Sequence, residues 1–379
     1  MEKNLKIAMF GHKRIPSREG GVEIVVEELS TRMVALGNHV TCYNRKGHHI
    51  AGTNFDNSTK SNLYKGVRLK SVCTINKKGL AAMSSSFFAS IKAALGPYDV
   101  VHVHAEGPCA MLWILKLRNK KCIVTIHGLD WARSKWGGFA TKYIKFGEKC
   151  AVKYADSIIV LSKNVQNYFK DTYNRETVFI PNGVTKPILV KANEITKKFE
   201  LKKDSYYLFL ARIVPEKGIH YLIEAFKKVK TDKKLVIAGG SSDTDNYLNN
   251  LYTLASDDDR IIFTGFVQGK ILEELYSNAY VYVLPSDLEG MPLSLLEALS
   301  YGNCVLGSDI NEITEVVENK AILFKQSNVT DLQNKLQYLE DNKDVVTQYK
   351  EGASDFICTK YNWDDVTEKT LKTYKEEKE

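Results

Sequence analysis

The chain lacks several features that would assign it to a class at once. Its 379 residues contain no run of about 18 apolar residues, so no membrane-spanning helix is predicted. The seven cysteines are scattered and odd in number, without a Cys-x-x-Cys pair, which is typical of reduced thiols rather than a disulfide framework. A predicted core strand starts at Leu5 with no basic and apolar leader before it, which argues against a signal peptide. We therefore expect a cytoplasmic protein.

Signatures of nucleic-acid and dinucleotide binding are also missing. The sequence shows neither zinc-finger spacing nor a basic-aromatic RNA-binding motif, so no nucleic-acid partner is expected. The Gly-x-Gly-x-x-Gly fingerprint of dinucleotide-binding proteins is absent. The formal net charge of +8 is modest and favours anionic partners such as phosphates or an acidic membrane surface.

Short apolar strands alternate with helices in both halves of the chain. In the first half, strands are predicted at residues 5–10, 40–43, 67–72, 100–104, 123–126, 157–161 and 178–180. In the second half, they are predicted at residues 206–211, 235–238, 261–263, 280–284 and 304–306. A polar stretch at about 185–204 is predicted to be an irregular linker between two domains. The alternation indicates an α/β protein with two doubly wound parallel sheets, which bind ligands beyond the carboxyl ends of their strands.

The stretch 286–299 joins a buried strand to a helix through a short acidic loop. Pro292 is predicted in the first turn of that helix, where its missing N–H would have no partner anyway. Free backbone N–H groups and the helix dipole favour an anion in such a loop. Glu289 and Glu297 flank it with the spacing E-x7-E and are better suited to accept hydrogen bonds from hydroxyls. A nucleotide-sugar has both a phosphate for the loop and hydroxyls for the glutamates. The alternative interpretation is that Glu289 is a solvated loop acid and Glu297 an exposed helical glutamate.

A second strand-end loop carries Arg212 and Lys217, five residues apart. An arginine fork and a lysine point charge at this spacing can clamp a diphosphate, although each alone would be an ordinary surface charge. Asp243-Thr244-Asp245 has the D-x-D pattern of a Mg²⁺ or Mn²⁺ site on a diphosphate. Because the pattern stands where a helix begins, we interpret it as a helix cap and expect no metal.

The loop after the first strand combines basic residues with two glycines. Gly20 and Gly21 permit close approach of backbone to a phosphate, and Lys13, Arg14 and Arg18 supply positive charge. A plain glycine turn is an equally good interpretation of this loop alone.

Three histidines stand near the ends of neighbouring strands. His102 and His104 point to the same side of one strand, and His127 follows another. No carboxylate or thiolate stands at a ligand spacing from them, so a metal site is not expected. We interpret His127 as a cleft residue that contacts a sugar hydroxyl or the reacting centre, and His102 as core.

The segment from Trp131 to Tyr154 places basic and apolar stripes side by side. Lysines recur every three or four residues beside a stripe formed by Phe139, Tyr143, Phe146 and Cys150. In front of the helix stand Trp131, Arg133, Lys135 and Trp136. This pattern suits a surface resting on anionic lipid headgroups, and the alternative is an amphipathic helix packed on the sheet with a solvated lysine face.

Taken together and in order, these motifs resemble the retaining glycosyltransferases of family 4, which have the GT-B architecture. The resemblance covers nearly the whole chain and rests on Gly20-Gly21, His127-Gly128, Ile180-Pro-Asn-Gly183, Arg212 with Glu216-Lys217-Gly218, the E-x7-E pair and the Trp363 helix. It implies two Rossmann-like domains facing a central cleft. Residues 1–183 with a returning helix at 358–379 would form the acceptor-side domain, and residues 184–357 the nucleotide-sugar domain.

The resemblance also implies roles for individual residues. The donor diphosphate would bind Arg212 and Lys217, the transferred sugar Glu289, and the ribose Glu297. The backbone of the segment Gly290, Met291, Pro292 and Leu293 would hold phosphates, and the base would lie on Phe266 and Val267. His127 would contact the sugar near the reacting carbon, with Gly20 and Gly21 on the donor side. Residues expected on the acceptor or membrane side are Lys13, Arg14, Arg18, His104, Trp131, Arg133, Lys135 and Trp136.

Two segments, Gly11–Glu23 and Gly128–Gly137, resemble more narrowly the bacterial rhamnosyltransferases of capsule and cell-wall polysaccharide assembly. That resemblance implies dTDP-rhamnose as donor, a lipid-diphosphate-linked saccharide as acceptor, peripheral attachment to the cytoplasmic membrane and no metal or other cofactor. UDP- or GDP-hexose donors, a nucleotide-sugar epimerase and a non-enzymatic sugar-nucleotide sensor remain alternatives.

Overall fold

The computed structural model describes residues 4–47, 62–75, 77, 79–132, 137–241 and 244–376. The chain forms two compact units, Met1–Asn182 with Trp363–Glu379 and Gly183–Asn362. Arg133, Lys135, Trp136 and Asp243, which the sequence singled out, lie outside the described residues. No helix in the described part of the chain combines the length and apolar content that crossing a bilayer requires.

Strands and helices alternate along both units. The strands are β1 (Lys6–Phe10), β2 (His39–Arg45), β3 (Leu63–Tyr64), β4 (Val67–Val72), β5 (Val100–His104), β6 (Lys121–Ile126), β7 (Ser157–Val160), β8 (Val178–Phe179), β9 (Tyr206–Leu210), β10 (Lys234–Ala238), β11 (Ile261–Gly265), β12 (Val281–Leu284), β13 (Cys304–Ser308) and β14 (Ile322–Phe324). The helices are α1 (Gly21–Ala35), α2 (Leu80–Leu95), α3 (Leu112–Lys116), α4 (Gly138–Tyr154), α5 (Lys163–Tyr173), α6 (Glu194–Phe199), α7 (Ile219–Phe226), α8 (Asp245–Ala255), α9 (Lys270–Asn278), α10 (Leu293–Ser300), α11 (Asn311–Val317), α12 (Val329–Asp341), α13 (Lys343–Lys350), α14 (Ala353–Lys360) and α15 (Trp363–Lys375).

The first unit is built on a sheet with the strand order β3-β4-β2-β1-β5-β6-β7-β8. Its strands pair in parallel except for the β3–β4 hairpin. The strands β1, β5 and β7 consist mainly of apolar residues and are buried along most of their length, as expected for a parallel sheet covered on both faces. Helix α15 packs against α1, and so the chain's last described helix belongs to this unit.

The second unit contains a parallel sheet with the order β11-β10-β9-β12-β13-β14. Its core lies between the sheet and helices that include α7 and α12. Strands β9 and β12 are neighbours at the centre of the sheet, although more than 70 residues separate them in sequence. The loops that follow their carboxyl ends are therefore brought to the same edge. The doubly wound α/β class predicted from the sequence is confirmed in both units.

The predicted irregular linker at 185–204 is wrong in one respect, because it contains α6. The fully buried carboxylate of Glu274 accepts hydrogen bonds from the N–H groups of Asn193 (2.8 Å) and Ile195 (3.0 Å), at the start of this helix. That cap comes from a residue about 80 positions away, so local composition carried no sign of it. A second difference is small: Pro292 stands immediately before the first residue of α10 rather than inside its first turn.

Candidate active site

The loops after β9 and β12 are locked together at the carboxyl edge of the second sheet. Gly218 has φ +63°, and a Cβ atom built there would lie 2.0 Å from the carbonyl oxygen of Pro285. The N–H of Asp287 donates to the carbonyl of Glu216 at 2.9 Å. A residue with a side chain would force these two loops apart, so the local fold depends on glycine at position 218.

Lys217 and Glu289 form an ion pair across these loops. Lys217 Nζ lies 2.5 Å from Glu289 Oε1, and the hydroxyl of Ser286 donates to the same oxygen at 2.6 Å. The two side chains are only 11% and 7% exposed. The structure therefore brings together one cation and one acid that the sequence singled out separately. In this arrangement the lysine orients the carboxylate, and both retain a small exposed surface at the sheet edge.

The acidic loop is held by residues that the sequence did not indicate. Asp287 accepts hydrogen bonds through its carboxylate from Tyr221 Oη (3.2 Å) and Ser327 Oγ (2.6 Å). Its backbone carbonyl accepts from Gln326 Nε2 at 2.9 Å. The hydroxyl of Ser308, at the end of β13, donates to the carbonyl of Ser286 at 2.5 Å. Elements on both sides of β12 therefore fix the shape of the loop, and single-sequence patterns cannot pair such distant residues.

Glu297 is half-buried on α10. Its Oε2 accepts a hydrogen bond from Tyr276 Oη at 3.2 Å, and the Tyr276 ring stacks on Tyr301. Burial raises the Tyr276 pKa well above its ordinary value, with a further contribution from the charge of Glu297. Tyr276 therefore stays a hydroxyl donor and holds the glutamate in one orientation. The alternative of a fully solvated helical glutamate does not describe this residue.

The other candidate donor-binding residues also lie at carboxyl strand ends of the second unit. Arg212 is half-buried and lies just after β9. The residues on either side of it are hydrogen-bonded to β10 and to the loop that follows it: the N–H of Ala211 donates to the carbonyl of Ala238 (3.2 Å), and the N–H of Ile213 donates to the carbonyl of Gly240 (3.0 Å). The half-buried pair at positions 266–267 directly follows β11. Gly290, Met291 and Pro292 are buried just before α10, and Leu293 is the buried first residue of that helix.

In the first unit, the structure corrects the expectation of a phosphate at Gly20 and Gly21. The Glu23 carboxylate accepts from the N–H of Lys13 at 2.8 Å, and its other oxygen occupies the space beside Gly20, 2.5 Å from a Cβ built there. Burial alone would raise the Glu23 pKa, but Lys13 and the neighbouring cations outweigh it and hold that pKa below its ordinary value. An ionised acid in this place would repel a phosphate. Gly21 is the exposed first residue of α1.

The three basic residues of that loop have different environments. Arg14 is buried and paired with the buried Glu19 at 3.5 Å, so it does not face an acceptor as expected. Lys13 is half-buried, and Arg18 is exposed. The sequence could not separate them, because the pairing depends on how the loop folds back on itself.

The three histidines form a stacked row. His102 is fully buried and hydrogen-bonded through Nδ1 to Tyr374 Oη (2.5 Å) and through Nε2 to Thr125 Oγ1 (2.7 Å), which confirms it as core. His104 is equally buried, with its ring centroid 4.1 Å from that of His102 and its Nδ1 3.1 Å from His127 Nε2. His104 was expected on the acceptor side; its burial makes it a residue that positions the half-buried His127 instead.

The two buried members of this row, His102 and His104, are neutral near pH 7. Burial lowers the pKa of His102 to about 3 and that of His104 well below 6.5. Within the described ranges, no three His, Cys, Asp or Glu side chains are grouped in a way that would hold a metal ion.

Trp131 belongs to a hydrogen-bond network rather than to a free surface. Its Nε1 donates to the fully buried Glu148 of α4 at 3.1 Å, and the same carboxylate accepts from Tyr168 (2.9 Å) and from Tyr173. The ammonium of Lys145 lies 4.2 Å from the Trp131 ring centroid. Nothing in the sequence indicated that Glu148 is buried, because a glutamate between lysines on a helix is usually exposed.

The apolar stripe predicted on α4 is divided in the structure. Cys150 is buried, together with Ile144 and Ala151 on the face toward the unit. Phe139 and Phe146 point outward with 77% and 54% of their surface exposed. The four predicted lysines of this helix are exposed as well: Lys142, Lys145, Lys149 and Lys153.

Comparisons with known proteins agree with this two-unit arrangement. Residues 19–186 match the family model described as Glycosyltransferase Family 4, and residues 191–356 match that described as Glycosyl transferases group 1. The chain is 25% identical to an uncharacterized glycosyltransferase, MJ1607, of Methanocaldococcus jannaschii over 98% of both chains. It is 28% identical to the UDP-Gal:alpha-D-GlcNAc-diphosphoundecaprenol alpha-1,3-galactosyltransferase of Escherichia coli, over 65% of this chain and 67% of that one.

Among solved structures, the sucrose-phosphate synthase of Thermosynechococcus elongatus superposes with a TM-score of 0.81 at 19% identity, over 98% of both chains. Both units thus have the Rossmann-like folds of the GT-B class. The chain belongs to the GT-B glycosyltransferases.

Proposed function

We propose that this protein is a retaining glycosyltransferase that moves a hexose from a nucleotide diphosphate to a lipid-diphosphate-linked saccharide in bacterial surface polysaccharide synthesis. The observation that carries the proposal is the Lys217–Glu289 pair at the carboxyl edge of the second sheet. A cation for the diphosphate and an acid for the sugar hydroxyls stand side by side there, immediately before α10. The close contact of Gly218 with the Pro285 carbonyl holds together the two loops that carry these side chains.

In this proposal the reaction proceeds on one face of the donor sugar. The bond between the anomeric carbon and the diphosphate oxygen lengthens, and negative charge develops on the leaving group. Arg212, Lys217 and the N-terminus of α10 stabilise that charge. The acceptor hydroxyl attacks from the same face, and its proton passes to the departing phosphate oxygen. His127, oriented by His104, contacts the sugar at the reacting carbon, and no metal ion takes part.

Our preferred donor is dTDP-L-rhamnose, on the strength of the segments Gly11–Glu23 and Gly128–Gly137. This donor has no ribose 2′-hydroxyl, so Glu297 would accept a hydrogen bond from the 3′-hydroxyl alone. A UDP-hexose is the second candidate, because a relative that is 28% identical over 65% of this chain is named for UDP-Gal and a diphosphoundecaprenol acceptor. With a UDP donor, Glu297 would bind both ribose hydroxyls.

A donor panel tests these proposals. We expect the correct nucleotide-sugar to raise the free energy of unfolding by about 2.7 kcal/mol at one hundred times its Kd, and the other donors to stabilise less. With a lipid-diphosphate-linked saccharide added, the selected sugar should be transferred with its anomeric configuration retained, at the same rate with and without a chelator. Conversion of the donor without acceptor would indicate an epimerase, and binding without turnover a sensor. Inverted product would contradict the proposed mechanism.

We also propose that the first unit rests on an anionic membrane surface. Phe139 and Phe146 of α4 are largely exposed beside four exposed lysines, and the acid of this helix, Glu148, is buried. Helix α3 packs against α4, and α2 packs against α3. Phe87 of α2, Trp113 of α3 and Leu117, directly after α3, are exposed as well. Exposed rings among lysines suit the boundary between headgroups and acyl chains of anionic lipids.

We expect the double substitution Phe139→Ser and Phe146→Ser to weaken binding to vesicles containing phosphatidylglycerol by at least about tenfold, because each ring would lose its burial in the bilayer. Vesicle co-sedimentation at fixed ionic strength measures this. Tyr338→Ser removes a comparably exposed ring from α12 of the second unit and should leave binding unchanged. Equal binding of the wild type and the double variant would contradict the proposed surface.

A further inference from the structure

The carboxyl end of β2 is tied to the loop after β1 and carries an arginine that the sequence did not single out. The buried side chain of Asn44 bonds His12 Nε2 (3.0 Å), the N–H of Ile15 (3.2 Å) and the carbonyl of Ile15 (3.0 Å). The N–H of the next residue, Arg45, donates to the carbonyl of Lys13 at 2.6 Å. These bonds fix the backbone from which the Arg45 side chain projects.

Arg45 is a poorly compensated cation. Its Nη2 donates to the carbonyl of Gly11 at 3.1 Å, whereas its buried Nε has no hydrogen-bond partner. In the part of the chain that the structure describes, no carboxylate lies within 4.0 Å of the guanidinium. Glu23 acts on it only through longer-range attraction, and burial lowers the Arg45 pKa. Arginine stays charged in proteins, and leaving such a charge without a counter-ion is costly.

A hydroxyl without a partner lies beside the loop after β5. The ring of Tyr143 is 3.7 Å from a Cβ atom built at Gly107, three residues after the end of β5. The buried Oη of Tyr143 on α4 has no hydrogen-bond partner in the described structure. Burial raises the Tyr143 pKa to about 12, and the nearby charge of Arg45 opposes that rise. The helix is held in place one turn later, where a Cβ atom at Gly147 would lie 2.1 Å from the carbonyl oxygen of Glu106. Tyr143 is therefore a protonated donor on a closely packed helix.

Two neutral histidines adjoin this group. Gly11, with φ +110°, lies against the backbone of His104, so the loops after β1 and β5 are in contact. His12 Nδ1 and His104 Nε2 are both buried without a hydrogen-bond partner in the described structure. Burial lowers the pKa of His12 to about 4 and that of His104 well below 6.5. Both imidazoles are uncharged near pH 7 and are suited to hydrogen-bond a hydroxyl or a water.

We propose that Arg45 and Tyr143 bind a phosphate group of the acceptor, with His12 and His104 lining the adjoining saccharide. A phosphate oxygen accepts hydrogen bonds from the orphaned Nε–H of the guanidinium and from the tyrosine hydroxyl, and its charge supplies the missing counter-ion. The helix that carries Tyr143 also carries the exposed phenylalanines and lysines, which suits a diphosphate anchored in a membrane. This inference rests on the proposed transfer to a lipid-linked acceptor and adds the acidic group that the first unit would recognise.

A binding experiment tests the site without requiring turnover. The wild type is saturated with UDP, or with dTDP if the donor panel selects it, to fill the nucleotide site, and is then titrated calorimetrically with inorganic pyrophosphate. We expect binding that Arg45→Gln weakens about tenfold to hundredfold, the scale of one hydrogen bond to a charged group, and Tyr143→Phe several-fold. The matched control is Arg68→Gln, which removes an exposed arginine from β4. Arg45→Gln removes a half-buried charge that has no carboxylate within 4.0 Å in the described structure, so the unfolding temperature of this variant should be unchanged or higher.

Equal pyrophosphate affinity of the wild type and Arg45→Gln, or no binding by the wild type, would overturn the proposal.

A kinetic experiment distinguishes an acceptor phosphate from a nucleotide phosphate. It compares N-acetylglucosaminyl diphosphate on a short phenoxyalkyl chain with octyl N-acetylglucosaminide, which has no phosphate.

In Arg45→Gln, the KM for the first acceptor should rise about tenfold to hundredfold, while those for the second acceptor and for the donor stay constant. A rise in the donor KM instead would contradict an acceptor site. If neither acceptor is used but pyrophosphate binds through Arg45, the proposed function fails and the anion site stands.

Discussion

Lys217→Ala is expected to lower the turnover number for sugar transfer by about 10²- to 10³-fold, with a small change in the KM for the acceptor. The lysine would stabilise the charge that develops on the departing diphosphate, so its loss affects the transition state more than the bound donor. The substitution would also leave the nearly buried Glu289 carboxylate without its cation, with the Ser286 hydroxyl still donating to it. Steady-state rates with saturating donor and acceptor measure the effect.

The second unit contains a matched control for this substitution. Lys233 and Glu340 form an ion pair of similar burial, with Nζ 2.9 Å from Oε1 and side chains 14% and 15% exposed. Lys233→Ala should therefore have a comparable effect on the unfolding temperature and little effect on turnover. If Lys217→Ala retains a near-normal rate, or if both variants lose activity equally, the assignment of Lys217 to the leaving group is wrong.

Local patterns were sufficient to predict most of the fold. The alternation of short apolar strands with helices predicted every strand of the two sheets except the edge strands β3 and β14, because buried parallel strands are continuous runs of apolar residues. The two missed strands are only two and three residues long. The helix α6 was missed because its cap, Glu274, lies on another helix. On α4 the outward direction of Phe146 was missed, because Gly147 and Glu148 occupy the buried face in place of apolar residues.

The candidate site was predictable where its residues share one loop. Glu289 and Lys217 each stand in a motif of a few residues, although only the folded sheet shows that the two meet. Arg14 and His104 were assigned to a surface because sequence spacing does not report burial. Arg45 gave one usable signal, a polar pair directly after the apolar part of β2 at its carboxyl end. That Arg45 has no carboxylate partner in the described structure could not be predicted, because a local sequence pattern does not give the positions of carboxylates elsewhere in the fold.

Gly218→Ala is expected to have the second large effect, on both stability and donor binding. Left-handed backbone costs alanine roughly 1–2 kcal/mol. Its Cβ would also meet the Pro285 carbonyl at 2.0 Å, and relieving such an overlap by moving backbone costs about 1–3 kcal/mol more. We therefore expect the free energy of unfolding to fall by about 2–5 kcal/mol. Because the displaced loop carries the acid that Lys217 orients, the Kd for the donor should rise by at least about tenfold.

Gly265→Ala separates backbone strain from loop displacement. Gly265 has φ +70°, and a Cβ built there meets no atom within 4 Å in the described structure. This variant should lose roughly 1–2 kcal/mol of stability through its backbone alone and keep the donor affinity of the wild type. Chemical denaturation and calorimetric titration of both variants with the donor provide the comparison. Equal losses of stability and affinity in the two variants would mean that the Gly218–Pro285 contact does not position the donor site.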